Sequence, residues 1–159
     1  MQEQTYVAVV GPGEADAEQI EAAEAVGRGL AERGALVVCG GPGGVMAAAC
    51  RGARSAGGLA IGLLPGIDRA EGNEWLTVAI PTGLGELRNG LVVRAADVVI
   101  AVGGAYGTLS EIALALRVGT PVVGLATWEL AKGGRPVDAI VRAATAAEAV
   151  DAAFALAGV

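Results

Sequence analysis

A threonine and a glutamate follow a glycine-rich turn in the stretch GGAYGTLSE, residues 103–111. The turn lies between the apolar run DVVIAV and the segment IALALRVGTP, which their patterns predict to be a strand and a helix. Glycine lets backbone N–H groups approach a ligand closely, and the N-terminus of a helix attracts negative charge through its free N–H groups and its dipole. We therefore expect this turn to bind an anion, most naturally a phosphate, with Thr108 in contact with it.

Both polar side chains also have a purely structural interpretation. Thr108 can be the N-cap of the helix, and T-L-S-E matches a capping box in which Glu111 reaches back to the N-cap amide. A functional Glu111 beside a phosphate needs a basic partner, because the two negative charges repel each other. Arg88 is the candidate, since it lies early in a predicted helix that begins at the same end of the sheet. A solvated surface charge explains Arg88 equally well, and Asn89 can either hydrogen-bond a ligand or cap the turn.

Two further glycine-rich turns, GPGEAD at 11–16 and GGPGGVM at 40–46, also follow predicted strands and open predicted helices. A single turn can need glycine only for its backbone conformation, but three at the carboxyl edge of one sheet favour a ligand crevice. None is a P-loop, and the first lacks the third glycine of a dinucleotide fingerprint. Met46 is as easily explained by core packing, and Tyr106 either stacks on the ligand or shields the turn. The residues expected to bind the ligand are Gly11, Gly13, Gly41, Gly43, Gly44, Met46, Asn89, Gly103, Gly104, Ala105, Tyr106, Gly107 and Thr108.

The elements that must position these residues alternate along the chain. Short apolar runs predict six strands, at 6–10, 35–39, 58–64, 76–80, 97–102 and 121–125. Amphipathic segments predict helices at about 16–33, 44–56, 86–96, 108–118 and 138–157, and 126–136 is predicted to be a surface loop. This alternation predicts an α/β fold, with one doubly wound, mostly parallel, Rossmann-like sheet and helices on both faces. We expect the 159 residues to form a single domain.

Composition excludes several classes of function. Hydrophobic residues make up 53% of the chain but aromatic residues only 3%, so the core must be aliphatic. A formal net charge of −6 without a basic cluster argues against nucleic acid as a partner. The absence of histidine excludes a Ser-His-Asp triad and a His-bearing zinc site, and we expect no metal. Cys39 and Cys50 lie in apolar surroundings, which favours buried free thiols over a disulfide.

The sequence also predicts no contact with a membrane. No uncharged run approaches the ~20 apolar residues that a spanning helix needs. The polar start MQEQTY leads directly into the first predicted strand rather than into the apolar segment of a signal peptide. We therefore expect a cytoplasmic protein.

These motifs resemble those of the Lonely-Guy (LOG) superfamily, once widely labelled lysine decarboxylase-like. The family's motif PGGxGTxxE aligns with GGAYGTLSE, and its arginine, 23 residues before the glutamate, aligns with Arg88. The segment GGPGGVMAAACRGARSAGGLAIGLLPG is similar to the family's second glycine turn, helix and strand, so the resemblance spans roughly residues 7–125. It implies a homodimer or higher homo-oligomer. It also implies a phosphoribohydrolase, which releases a free base from a nucleoside 5′-monophosphate.

The resemblance assigns a role to each motif residue. The helix start at Gly107 and Thr108 would hold the 5′-phosphate, Glu111 would position or activate water at the anomeric carbon, and Arg88 would assist. This chemistry is plausible without histidine, because a carboxylate can act on a sugar whose transition state resembles an oxocarbenium ion. No pyridoxal-binding signature is present, so lysine decarboxylation is not expected.

The chain is more similar still to a short subgroup of the superfamily that has GEARN-like and GGGYGTLSE-like motifs. GELRN at 85–89 and the residues Gly103, Ala105 and Ser110 depart from the LOG pattern. The subgroup resembles the molybdenum cofactor carrier proteins of algae. That implies an alternative, a non-catalytic carrier or sensor that uses the same turns for the phosphate of a pterin cofactor. Neither hypothesis requires a resident cofactor; the bound molecule would be a nucleotide or molybdenum cofactor. A scaffold whose turns are only structural is the third interpretation.

Overall fold

The computed structural model describes residues 3–159 and contains a seven-stranded parallel sheet. The strands lie in the order β4-β3-β2-β1-β5-β6-β9, so the chain reverses its direction of winding between the central strands β1 and β5. Apart from Tyr6 at the start of β1, every residue of these two strands is buried, as expected of strands covered by helices on both faces. Their bounds are β1 (Tyr6–Val10), β2 (Leu36–Cys39), β3 (Ala60–Leu64), β4 (Val78–Pro81), β5 (Val98–Val102), β6 (Val122–Leu125) and β9 (Val141–Ala143). The predicted parallel α/β fold is thereby confirmed.

Five α-helices in the described residues cover the two faces of this sheet. Alternate residues of a strand point to opposite faces, so Val7 and Val9 belong to one apolar cluster while Ala8 and Val10 belong to the other. Helices α1, α2 and α5 pack on the first face, and α3 and α4 pack on the second. Their bounds are α1 (Ala17–Glu32), α2 (Val45–Ser55), α3 (Asn89–Arg94), α4 (Tyr106–Val118) and α5 (Ala146–Ala157).

The C-terminal third differs from the sequence-based prediction. Residues 126–136 are not simply a loop, because β7 (Leu130–Lys132) pairs antiparallel with β8 (Arg135–Val137) around Gly133 and Gly134. The final helix begins at Ala146 rather than at 138, and strand β9 precedes it. Strands of three residues are too short to show a period-two pattern, and the Ala-rich context of β9 favours a helix on propensity alone.

Two helix starts near the glycine turns also differ from the prediction. The segment predicted as one helix at 86–96 is a 3-10 turn, Gly85–Arg88, followed by the short helix α3. Helix α4 begins at Tyr106 with Ala105 as its N-cap, so Thr108 is inside the first turn and is not the cap. The capping-box interpretation of Glu111 is therefore wrong, since Glu111 lies beyond the first turn of the helix.

No helix in residues 3–159 is both long enough and apolar enough to cross a bilayer.

Candidate functional site

A cavity of about 350 Å³ lies at the carboxyl edge of the sheet, beside β1 and β5. This is the point where the strand order reverses, and open parallel sheets bind ligands in the crevice formed there. The volume lies within the range of small-molecule sites. The cavity is lined by nine of the residues that the sequence singled out, namely Gly11, Gly13, Met46, Arg88, Asn89, Ala105, Gly107, Thr108 and Glu111.

Two helices present uncapped N-termini at this cavity. Neither α2, which follows Gly44, nor α4, which follows Ala105, has a side chain that accepts from its first-turn N–H groups. By contrast, Asp16 caps α1 and Thr145 caps α5. Free N–H groups at a helix start carry partial positive charge and bind anions such as phosphate. Helix α3 also lacks a side-chain cap, but it continues directly from the 3-10 turn that ends at Arg88. In α2 the N–H of Val45 donates to the carbonyl of Pro12, so α4, whose residues Gly107 and Thr108 line the cavity, is the better candidate for an anion site.

Thr108 carries a polar atom that lacks a partner in the described part of the chain. The residue is 2% exposed, and its Oγ1 is buried without a hydrogen bond. An unsatisfied buried hydroxyl costs folding free energy, of the order of 1–3 kcal/mol. Because Thr108 lines the cavity at the start of α4, an anion bound there would supply the missing acceptor.

Glu111 is the buried carboxyl of the cavity. It is 7% exposed, and burial raises its pKa to about 7, while the positive charge of Arg88 opposes that rise. No ion pair joins the two side chains in the structure of residues 3–159. Glu111 therefore exchanges a proton near neutral pH, which suits either a general base or a group that must be neutral beside an anion.

Arg88 is the only cation among the described residues that line the cavity. Its Nη1 donates a hydrogen bond to Oδ1 of Asn89, and its Cζ lies 2.8 Å from the position that a Cβ on Gly40 would occupy. Its Nε is buried and has no acceptor in the part of the chain that is described. The guanidinium thus lies against Asn89 and the second glycine turn, and its Nε–H is one of the donors that a ligand would satisfy.

A short chain of hydrogen bonds continues from Asn89 to helix α4. Nδ2 of Asn89 donates to Oγ of Ser110 at 3.0 Å, and that hydroxyl donates to the carbonyl of Gly107 at 2.7 Å. These bonds connect the 3-10 turn to the first turn of α4. They fix the position of Arg88 relative to the N–H groups that would hold the phosphate.

The glycines of the second turn lie behind the cavity, whereas Met46 of the same turn lines it. Gly44 has φ 63°, and a Cβ there would lie 2.3 Å from the carbonyl oxygen of Pro12, so only glycine lets the second turn pack on the first. The carbonyl of Gly41 accepts hydrogen bonds from the backbone and side-chain amides of Asn73. Gly43 also lies outside the cavity lining, with Gly13 O 3.9 Å from its Cβ position.

The remaining predicted residues surround the start of α4. Gly103 lines a separate cavity of about 420 Å³ between α1 and α5. Gly104 lies against the ring of Trp128, and Tyr106 lines a groove next to the cavity of Glu111. The structure therefore brings these three residues near the site but not into the cavity of Glu111.

Four residues of the cavity lining were absent from the prediction: Pro12, Pro65, Gly85 and Glu86. Pro12 lies within the first glycine turn, and Gly85 and Glu86 directly precede the Arg88 position. Pro65 follows β3, whose carboxyl end lies at the same edge of the sheet. The rule that all parallel strands end at one edge could have included Pro65.

The two cysteines lie behind the second turn. Both are buried and free, as predicted, and their Sγ atoms are 3.5 Å apart. The hydrogen bond between them raises the pKa of Cys39 and lowers that of Cys50. Within residues 3–159, no group of three or more His, Cys, Asp or Glu side chains is placed to hold a metal ion.

Comparison with known proteins gives consistent matches along nearly the whole chain. A sequence model of the SLOG cluster4 family matches residues 4–152. An uncharacterized protein of Archaeoglobus fulgidus is 43% identical over 119 residues, which are 75% of this chain and 78% of that protein.

Two solved structures are similar in both fold and sequence. The molybdenum cofactor binding protein of the phototrophic bacterium Rippkaea orientalis matches with a TM-score of 0.88 and 31% identity, over 98% of this chain and 99% of that one. The molybdenum cofactor carrier protein of Chlamydomonas reinhardtii matches with a TM-score of 0.85 and 31% identity, over 98% and 100% of the two chains.

Proposed function

The chain belongs to the SLOG cluster4 family of LOG-like proteins, and we propose that it binds a small phosphorylated molecule and carries it unchanged. The ligand that the structural relatives favour is molybdenum cofactor, a pterin with a phosphate group. In this proposal the molybdenum is cargo. The protein recognises the phosphate through helix α4 and the guanidinium of Arg88.

One observation carries the proposal, namely the environment of Thr108. Its buried hydroxyl lacks an acceptor, and it belongs to the first turn of a helix whose N-terminus has no side-chain cap. Arg88 lines the same cavity, and its buried Nε also lacks an acceptor in the described part of the chain. An oxyanion at the start of α4 would satisfy the hydroxyl and accept from the backbone N–H groups, and it would also balance the guanidinium charge.

The proposal is tested by what the protein retains when it is purified from cells that synthesise molybdenum cofactor. We expect molybdenum and oxidised pterin, measured by mass spectrometry and by pterin fluorescence, at close to one of each per ligand site. The variant Thr108→Val should retain several-fold less. Retention of neither species by the unaltered protein, under conditions where the Chlamydomonas reinhardtii carrier retains both, contradicts the carrier function.

The burial of Glu111 favours a second candidate function, hydrolysis of the N-glycosidic bond of a nucleoside 5′-monophosphate. A carboxylate with a pKa of about 7 is half ionised at neutral pH and can accept a proton from water. Water would then attack the anomeric carbon, the bond to the base would break, and the base would leave with a proton. Incubation with AMP tests this: adenine and ribose 5-phosphate should form in equal amounts, and Glu111→Gln should abolish both. Equal rates in the variant and the unaltered protein would exclude the hydrolase.

A further inference from the structure

A groove of about 550 Å³ adjoins the cavity of Thr108 and Glu111 on the side of helices α3 and α4. The two spaces share Glu86, Asn89 and Gly107 in their linings, so a single ligand can occupy both. The far side of the groove is apolar, with Leu87 and Leu114 exposed to solvent. Exposed apolar side chains next to an anion site suit a ligand that has a charged end and a flat, weakly polar end.

Tyr106 is the aromatic side chain in the lining of this groove. It is the first residue of α4 and is 83% exposed. Its backbone belongs to the helix start that would hold the phosphate. Tyr106 directly precedes Gly107, which lines the proposed anion site.

Trp128 holds the ring of Tyr106 in place. The ring centroids are 5.8 Å apart at an interplanar angle of 27°, and the indole Nε1 donates to the carbonyl of Ala105 at 3.1 Å. Gly104 makes room for the indole, since a Cβ there would lie 2.7 Å from Nε1 of Trp128. The indole thus lies beside the tyrosine ring, which keeps most of its surface exposed and available to a ligand in the groove.

We propose that this groove binds the planar heteroaromatic ring of the same ligand, which stacks on Tyr106 while its phosphate occupies the start of α4. The inference rests on the proposed function, because it assumes that the phosphate is bound there. Stacking on an aromatic side chain contributes strongly to binding of nucleobases and tolerates different ring systems. Tyr106 acts as a binding residue, and Trp128 positions it.

The test compares a ligand that has a ring with one that lacks it. Trp75→Phe gives a parent protein in which Trp128 is the only tryptophan, since the chain has two. Calorimetry measures the affinity of this parent for GMP and for ribose 5-phosphate, and Trp128 fluorescence follows each titration. GMP should bind more tightly than ribose 5-phosphate and should change the fluorescence, whereas ribose 5-phosphate should bind with no such change.

Substitution of the ring then separates stacking from phosphate binding. In the Trp75→Phe parent, Tyr106→Ala should weaken GMP binding by about five- to a hundredfold and leave ribose 5-phosphate within twofold, while Tyr106→Phe should keep the affinity for both. An unchanged ratio of the two affinities in Tyr106→Ala overturns the inference and leaves the proposed function standing. A Tyr106→Ala protein whose oligomeric state changes in light scattering, while its affinities for both compounds stay the same, also overturns the inference. The groove would then be a contact with a second copy of the chain. If the parent binds neither compound, the phosphate site and this inference fail together.

Discussion

The guanidinium of Arg88 donates to the side-chain oxygen of Asn89 and makes no ion pair with Glu111, although Arg88 and Glu111 line the same cavity. A direct pair would neutralise both groups and would hold the pKa of the carboxyl low. Their separation instead leaves a protonatable carboxyl and an available cation in one small space.

Glu111 should make the protein less stable as the pH rises. Its folded-state pKa of about 7 is above the ordinary value of 4.5, so the folded state holds a proton that the unfolded state releases between those pH values. The corresponding stability is complete below about pH 4.5 and is lost as the pH rises through about 7, with an upper limit of about 3 kcal/mol. Urea unfolding at a series of pH values should show this slope in the unaltered protein and not in Glu111→Gln.

Glu129→Gln is the matched control for this titration, because Glu129 is exposed and lies outside the cavity lining. It should keep the pH slope of the unaltered protein. A slope that persists in Glu111→Gln would show that burial does not hold a proton on this carboxyl.

Replacing Thr108 by valine should separate stability from binding. Valine has nearly the same shape and removes an unpartnered buried hydroxyl, so the free energy of unfolding without ligand should stay the same or rise by about 1 kcal/mol. The affinity for AMP, measured by calorimetry, should fall about tenfold because the phosphate loses a hydrogen-bond donor.

Thr127→Val is a matched control, since Oγ1 of Thr127 is also buried without a partner but Thr127 does not line this cavity. Equal loss of AMP affinity in both variants would contradict a phosphate site at Thr108.

Arg88 should dominate the electrostatic part of binding. We expect Arg88→Ala to weaken AMP binding by about ten- to a hundredfold, because a partly buried charge-assisted contact is stronger than a neutral one. Arg94→Ala removes an exposed arginine from the last turn of α3 and should leave the affinity within twofold. Calorimetry at low and at 0.5 M salt should show a weaker salt dependence in Arg88→Ala alone. The same loss in Arg94→Ala would point to the overall charge of the protein rather than to the cavity.

The packing of the second glycine turn on the first should tolerate no side chain at position 44. Gly44→Ala combines a positive φ with a Cβ position 2.3 Å from the carbonyl oxygen of Pro12, so it should destabilise the fold by about 2 kcal/mol or more and weaken AMP binding through displacement of the first turn. Gly43→Ala has 3.9 Å to its nearest neighbour and should change the melting temperature little. Thermal unfolding of both variants measures the difference. Equal melting temperatures would contradict a steric clash between a side chain at position 44 and the carbonyl oxygen of Pro12.

The parallel sheet was predictable because the strands are nearly continuous apolar runs that alternate with amphipathic segments. The rule that parallel strands end at one edge predicted a crevice there, and Gly11, Arg88 and Thr108 do line one cavity at that edge. The sequence could not show that Ala105 precedes the first turn of α4, since an alanine cap has no side-chain signature while T-L-S-E resembles a capping box. The contact of Trp128 with Tyr106 depends on a loop beyond β6, and pairs that are distant in sequence leave no local pattern.

The pairing of β1 with β5 has a consequence for how the protein acquires its cavity. Val7 lies opposite Val98, so the first glycine turn and the start of α4 become neighbours only after two distant parts of the chain have met. Closing so long a loop is entropically costly, and folding of such non-local pairs is slow. A nascent chain that has completed β1, α1, β2 and α2 therefore holds Gly11 and Met46 but neither Thr108 nor Glu111. Capture of a ligand in this cavity should coincide with the end of folding, and a ligand present at that stage should favour the completed fold by mass action.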